Sequence, residues 1–450
     1  MQTVLRSGRP LRLDDIEDAA DAHELALRSA GVSRGALVAT AMRSGAEHLA
    51  LHRALRRIGA ALAPLSPALP PALLSSAVDA LRPSLLLVES AARDSTTSGT
   101  PVGSLGGPLP AAATATRPLP DGTEFVFLTS GTTADPKAVV LDGRAVAATD
   151  AALLSRFPLD ASDTVLSVMP QHHTGGWTVF PLAALESGAR LIVRDRFDPT
   201  AVREALVEHG VTAMMGVPTH WSRLLAVLRP GEAPFPALRH AVVGGAPVPP
   251  DLVARAACHG IRLIEGYGLT EAGPNVAAAR VPGGPLHPYD GVTVRLADDG
   301  EVLVSSPSLG AGYLDDEAAT RDTFRGGWLH TGDLAEERAG GGFSIVGRID
   351  DVFSSGGESV VPAAVERAML RLPGVLEAAV IGVPDPDLGS VGSAFVVAAP
   401  GAEPSLATVR ARLADELPRH ALPARLHVVP SLPRTPVGKV DRRALREDRR

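Results

Sequence analysis

Residues 124–137 read Glu-Phe-Val-Phe-Leu-Thr-Ser-Gly-Thr-Thr-Ala-Asp-Pro-Lys. Phe125-Val126-Phe127-Leu128 is an apolar run of the length and composition of a buried strand. It passes without a spacer into Thr129-Ser130-Gly131-Thr132-Thr133-Ala134-Asp135-Pro136-Lys137. Hydroxyls, a flexible glycine and one lysine at the end of a strand are the groups a polyphosphate needs: backbone and side-chain donors plus a mobile cation. The spacing is not that of a Gly-x-x-x-x-Gly-Lys-Ser/Thr loop. The bland alternative is a Ser/Thr-rich turn that holds nothing.

Outward from this stretch, short apolar runs at 164–168, 190–193, 213–216, 240–243 and 262–264 alternate with helical stretches, which predicts a layered α/β body. On the N-terminal side, Ile16, Ala19, Ala20, Leu25 and Leu27 fall roughly on one helical stripe. A strand at 36–41, a helix at 48–58 and a buried strand at 84–88 follow. Residues 95–122 are rich in Ser, Thr, Gly and Pro and read as a surface connection. Past Gly291 the texture becomes alternating, with Val292, Val294 and Leu296, then Val302-Leu303-Val304. Beyond Asp350, Val365, Ala368, Met369 and Leu372 share a helical face, 375–383 and 394–399 read as strands, and 406–417 as a helix. About 100 residues suffice for a separate α+β domain. The predicted organisation is an N-terminal domain over 1–349 and a C-terminal domain over 350–450, with no internal repeat.

Composition narrows the function. The 450 residues carry 43 basic and 50 acidic side chains, a net charge of −7, so no basic field exists to draw nucleic acid. Cys258 is the single cysteine, which excludes an internal disulfide and a thiolate zinc site. His172, His173, Cys258 and His259 do not have the spacing of a metal-ligand set. The first twenty residues hold Asp14, Asp15, Glu17 and Asp18 and lack an apolar core, so no signal peptide is expected. No run long enough to span a bilayer escapes Pro and charge. The expectation is a cytoplasmic protein with no membrane partner and, at 4% aromatics, an aliphatic core. Its oligomeric state is not encoded in any feature of the chain.

The 129–137 segment resembles the phosphate loop of the adenylate-forming superfamily, which includes acyl-CoA synthetases. Six more segments match that family in its order: Pro170-Gln171-His172-His173, Gly244-Gly245-Ala246, Tyr267-Gly268-Leu269-Thr270-Glu271, Thr331-Gly332-Asp333, Gly347-Arg348-Ile349-Asp350-Asp351 and Pro433-Arg434-Thr435-Pro436-Val437-Gly438-Lys439. Seven short motifs in register leave chance no role. The first 120 residues match only in general character. The resemblance implies a large, multi-subdomain N-terminal adenylation body of α/β class and a small, mobile α+β C-terminal domain.

It also implies a chemistry. The family couples a carboxylate to ATP, giving acyl-AMP and pyrophosphate, then moves the acyl group to a thiol; such in-line attack needs positioning and charge neutralisation. By resemblance, Lys137 with Thr129, Ser130, Gly131, Thr132 and Thr133 would hold the phosphates, and Glu271 with Thr133 would serve Mg2+. Gly245, Ala246, Tyr267, Gly268, Thr270 and Arg348 would surround the nucleotide, and Asp333 would accept both ribose hydroxyls. Lys439 would bridge the reacting carboxylate and the α-phosphate. His173, Thr174, Gly176, Trp177, Val217, Thr219, Gly244 and Gly268 would line the acid pocket, His173 also governing thiol access; Trp177 and Trp221 suit pocket wall or core. Asp350 would be the hinge, and Ser355, Gly356 and Gly357 would border the CoA channel. Ala134 and Ala138 stand where the family has glycine, without removing a functional group.

The acid and the acceptor are read from departures and likenesses. Amino-acid-activating members carry an Asp after the aromatic motif, and here that place is Thr174, with no acid as far as Leu185. A free amino acid is therefore disfavoured, as is an attached carrier domain, since only eleven residues follow Lys439. Ser354-Ser355-Gly356-Gly357-Glu358, His173-Thr174-Gly175-Gly176 and Val217-Pro218-Thr219 look similar to 2-succinylbenzoate–CoA ligases. The leading expectation is a ligase joining a compact or aromatic carboxylic acid to CoA with ATP and Mg2+. The alternative is a stand-alone adenylating enzyme that passes the acyl group to an acyl carrier protein or another nucleophile. A degenerate nucleotide-binding scaffold is a third class, disfavoured because Lys137, Glu271, Asp333 and Lys439 are all present.

Overall fold

The structure is a computed structural model that describes residues 8–89, 99–105, 107–114, 117–129, 136–434 and 440–447. The chain divides into two compact units, one of Met1–Val294 with Val304–His330 and the other of Arg295–Leu303 with Thr331–Arg450.

The first unit holds two sheets. In one, β1 (Leu37–Ala41), β2 (Ala61–Leu65), β3 (Leu85–Val88), β4 (Val102–Gly103) and β5 (Thr123–Thr129) run parallel in the order β4-β3-β1-β2-β5. Burial on both faces explains why β1 and β3 show no polar–apolar alternation. β6 (Lys137–Asp142) turns back antiparallel to β5, with Thr129 opposite Lys137, and the two-residue strand Gly312–Tyr313 adds beyond it. Thr129 and Lys137 close one end of this antiparallel pair, the Thr129 hydroxyl donating to the Lys137 carbonyl at 3.2 Å.

Strand β2 was not expected, because Ala61-Leu62-Ala63-Pro64-Leu65 is alanine-rich and interrupted by proline. It meets β5 only through Leu62 and Phe125, so Pro64 lies beyond the pairing on that side and its missing N–H goes unused there.

The second sheet is assembled from β7 (Thr164–Ser167), β8 (Arg190–Val193), β9 (Ala213–Gly216), β10 (His240–Val243) and β11 (Leu263–Tyr267), all parallel, in the order β8-β7-β9-β10-β11. β12 (Ala277–Ala279) and β13 (Leu286–Pro288) continue antiparallel from β11. Its helices cover a core of Leu166, Ile192, Val202, Met214, Trp221, Leu224, Phe235 and Leu263, mostly aliphatic.

The second unit is α+β. An antiparallel pairing of residues 333–337 with Phe343–Arg348 places Asp333 opposite Arg348. Val375–Asp385 and Gly389–Ala398 form a long antiparallel pair, longer than the apolar runs at 375–383 and 394–399, and Arg425–Val428 joins it in parallel. Helices Pro362–Met369 and Leu406–Leu413 close over it through Val365, Met369, Val409 and Leu413. Both are shorter than the apolar stripes 362–372 and 406–417.

Candidate active site

Apart from Thr129 and Lys137, which lie on β5 and β6, the described candidate residues of the first unit collect at one edge of its second sheet. β7 exits towards Pro170-Gln171-His172-His173, β9 into Val217-Pro218-Thr219, β10 into Gly244-Gly245-Ala246 and β11 into Gly268-Leu269-Thr270-Glu271. These four strands are parallel neighbours, so their carboxyl ends share an edge, where open α/β sheets bind ligands.

Each loop is held by specific contacts. A Cβ on Gly268 would fall 1.6 Å from the Pro274 carbonyl oxygen, so only glycine fits there. Thr174 is buried, and its hydroxyl lies 3.3 Å from that of Thr270, tying the β7 exit to the β11 exit. Gln171 is clamped from three sides. Its Oε1 accepts from the Gly45 N–H at 2.7 Å and lies 3.2 Å from His48 Nδ1, while its own N–H donates to Ser44 Oγ at 2.9 Å. Trp177 is fully buried beside His52 and Phe125, its indole N–H donating to the Gln171 carbonyl.

His48, His172 and His220 are held neutral at pH 7. Burial pushes His172 and His48 down to about 4. It does the same to His220, where the nearby Arg223 adds to the effect. The His172 and His173 rings lie 4.3 Å apart, and His173 is half-buried, its N–H donating to the Pro170 carbonyl at 3.1 Å. Val217 and Gly245 sit beside one another, an added Cβ on Gly245 standing 3.6 Å from Val217 Cγ1. Thr219 is exposed and Ala246 half-exposed.

At the β11 exit, Glu271 Oε1 accepts from the Tyr313 hydroxyl at 2.9 Å, and Lys137 Nζ stands 4.7 Å from the centre of the Tyr313 ring. Residues 137, 271 and 313 therefore converge although they come from three separate segments. No sequence motif pointed to Tyr313, since a two-residue strand has no periodicity to read. Among the described residues, no group of three or more His, Cys, Asp or Glu is placed to hold a metal. Glu271 fits Mg2+ in another way, as a single carboxylate ligand whose remaining partners would be phosphate oxygens and water.

In the second unit, Arg348 Nη1 donates to Asp333 Oδ1 at 2.6 Å. Asp333 is further set by its N–H on Thr331 Oγ1 at 3.0 Å, and that hydroxyl donates to the Val302 carbonyl at 2.7 Å. The Gly332 N–H donates to Glu301 Oε1 at 2.9 Å. Asp350 is exposed on the 3-10 turn Ile349–Asp351. Ser355 is buried, and Gly356 and Gly357 form the two-residue turn of a hairpin, with φ of +62° and +86°. Positive φ at both positions is the geometry of the tight hairpin turn that favours glycine, so the turn alone accounts for the pair.

Ser130, Gly131, Thr132, Thr133 and Lys439 lie outside the described residues. The base of the lysine loop is described. Arg434 and Val440 form an antiparallel bridge, Arg434 pairs with Glu377 at 2.7 Å, and Arg442 is held on both Glu366 oxygens at 2.6 and 2.8 Å.

The family described as AMP-binding enzyme matches residues 8–314, and the AMP-binding enzyme C-terminal domain matches residues 364–439. The chain is 37% identical over 346 residues to a 3-[(3aS,4S,7aS)-7a-methyl-1,5-dioxo-octahydro-1H-inden-4-yl]propanoyl:CoA ligase of Mycobacterium tuberculosis, covering 75% of this chain and 68% of that one. It is 36% identical over 345 residues to a feruloyl-CoA synthase of an Amycolatopsis species, covering 72% and 70%. The solved structure of ATP-bound MatB from Rhodopseudomonas palustris superposes with a TM-score of 0.88 at 28% identity, covering 97% of this chain and 93% of that one.

Proposed function

The chain belongs to the AMP-binding enzyme family, within the adenylate-forming superfamily, and we propose that it activates a compact or aromatic carboxylic acid for transfer to CoA, with 2-succinylbenzoate as one candidate acid. Its class is that of AMP-forming acyl-CoA synthetases. The observation that carries the reading is the shared edge of β7, β9, β10 and β11, where acid-pocket and nucleotide candidates meet.

In the first half-reaction the acid's carboxylate oxygen attacks the α-phosphorus of ATP and pyrophosphate leaves. The acid would lie among His173, Thr174, Gly176, Val217, Thr219 and Gly244, with Trp177 backing the pocket. Thr174, buried against Thr270, presents no carboxylate to a substrate ammonium, which supports a non-amino acid. The adenine and ribose would lie on Gly245, Ala246, Tyr267 and Gly268, with Thr270 nearby. By the family resemblance, Asp333, oriented within its own unit by Arg348, would accept the ribose hydroxyls. Lys137 and the hydroxyls of 129–133 neutralise the departing phosphates, and Lys439 meets the charge that develops between carboxylate and α-phosphate. Glu271 and Thr133 would hold Mg2+, which would supply charge neutralisation of the triphosphate.

In the second half-reaction the CoA thiol displaces AMP from the acyl adenylate, past Ser355, Gly356 and Gly357 and under the influence of His173. The His173 ring lies 4.3 Å from that of His172, at the exit of β7. Asp350 is the hinge between the two half-reactions. The ring-bearing octahydroindenyl and feruloyl groups in the relatives' names support a compact acid.

The test is mass spectrometry of the protein with ATP, Mg2+ and a panel of acids, each with and without CoA. The panel holds 2-succinylbenzoate, benzoates, short and medium fatty acids, and amino acids. An acyl-CoA product identifies acid and acceptor together. Acyl-AMP that persists when CoA is added overturns CoA as the acceptor and points to a carrier protein or another nucleophile.

A further inference from the structure

Tyr313 stands between two groups assigned to the nucleotide. It pairs with Val139 of β6, two residues from Lys137, and its N–H donates to Thr320 Oγ1 at 2.9 Å. The Phe324 ring meets its own edge-on at 6.1 Å. The ring is therefore set by backbone pairing and packing, independently of Glu271. From that fixed position its hydroxyl reaches Glu271 Oε1 at 2.9 Å, and one ring face receives Lys137 Nζ at 4.7 Å.

We propose that Tyr313 is a positioning residue of the ATP site, its hydroxyl orienting the Glu271 carboxylate towards the metal of MgATP and its ring holding the Lys137 ammonium in reach of the phosphates. A carboxylate on a short 3-10 turn has several rotamers open to it, and a donor on one oxygen selects the rotamer in which the other oxygen faces a ligand. The hold on Lys137 is of a different kind. A cation over a ring is attracted by the π face but makes no directional bond, so the ammonium exchanges that contact for a charge-assisted bond to phosphate without breaking a strong one. The inference rests on the reading of Glu271 and Lys137 as nucleotide-site groups.

The experiment is calorimetric titration of the full-length protein with ATP, with and without Mg2+, for the wild type, Tyr313→Phe and Tyr313→Leu. Phe keeps the ring and removes the hydroxyl. It should leave Mg2+-free ATP affinity within about twofold of wild type and reduce the strengthening by Mg2+ by roughly fivefold to tenfold. Leu removes both and should also weaken Mg2+-free binding, by roughly threefold or more. A purely structural role would lower both affinities together, along with the unfolding midpoint. Tyr313→Phe with wild-type Mg2+ dependence, or with equal losses in both conditions, overturns the proposal. So does a wild type whose ATP binding ignores Mg2+. If Tyr313→Leu does not fold, Tyr313→Phe decides alone. A wild type that binds MgATP yet activates no acid overturns the functional reading and leaves Tyr313 to be judged by the variants.

Discussion

Asp333 and Arg348 face each other directly across an antiparallel pair of strands, and the guanidinium meets the carboxylate at 2.6 Å. The side chain of Asp333 is only 12% exposed against 40% for Arg348, so the arginine shields a carboxylate that is already largely out of water. Its place is set by strand register, which holds one oxygen before any ligand arrives.

Replacing Arg348 by Ala should therefore loosen the Asp333 carboxylate without unfolding the strand pair. We expect ATP to bind about tenfold more weakly, near 1.4 kcal/mol, the size of one charge-assisted hydrogen bond. Calorimetric titration checks this, and unchanged affinity would remove Arg348 from the nucleotide site.

Gly268→Ala places a methyl group inside the carbonyl of Pro274, which is backbone and cannot swing away. The β11 exit must then reorganise, at about 3 kcal/mol or more. The unfolding midpoint in urea should drop sharply. A variant of wild-type stability with intact ATP binding would show that the exit loop has a second arrangement.

Asp150 is buried on the helix Gly143–Arg156. Burial and the charges of Glu124 and Glu186 hold its carboxyl well above the ordinary range. Glu124 goes the opposite way, kept low by its 2.6 Å contact with His52. Above the ordinary Asp value the unfolded chain has lost the Asp150 proton while the folded chain keeps it, so stability falls as pH rises from that value to the folded one. Asp150→Asn removes this dependence. It should raise the unfolding midpoint at pH 8 relative to wild type and change it little at pH 3, where Asp is protonated in both states. A loss at pH 8 would mean that Asp150 is ionised in the folded protein.

The two half-reactions should separate. Lys439→Ala should slow acyl-AMP formation a hundredfold or more, about 3 kcal/mol of transition-state stabilisation, read as pyrophosphate release. Asp350→Pro should leave that release near wild type and abolish thioester formation. Equal loss of both half-reactions in Asp350→Pro would sink the hinge.

Much of the fold was legible in the residues. Strands 190–193, 213–216 and 240–243 read from their apolar runs and stand as β8, β9 and β10. Parallel strands buried on both faces carry the strongest local signal a sheet has. β2 escaped because Pro64 masks a strand that pairs with β1 along its whole length, the proline included, and with β5 only at Leu62. The helices ended early because an apolar stripe does not mark where backbone hydrogen bonding ceases. Gly356 and Gly357 are expected to border the CoA channel, and the turn they form asks for glycine by itself.

By itself the sequence determined the chemical inventory and its order along the chain. Tyr267-Gly268-Leu269-Thr270-Glu271 is contiguous, so its identity survives without any fold. Only the tertiary structure decided which of these groups touch. Tyr313 and Glu271 are 42 positions apart, His52 and Glu124 are 72 apart, and His48 and Gln171 are 123 apart. Each contact depends on strand register and sheet order, which follow from the packing of whole elements. A local pattern encodes the period of one element and carries no term for its neighbour.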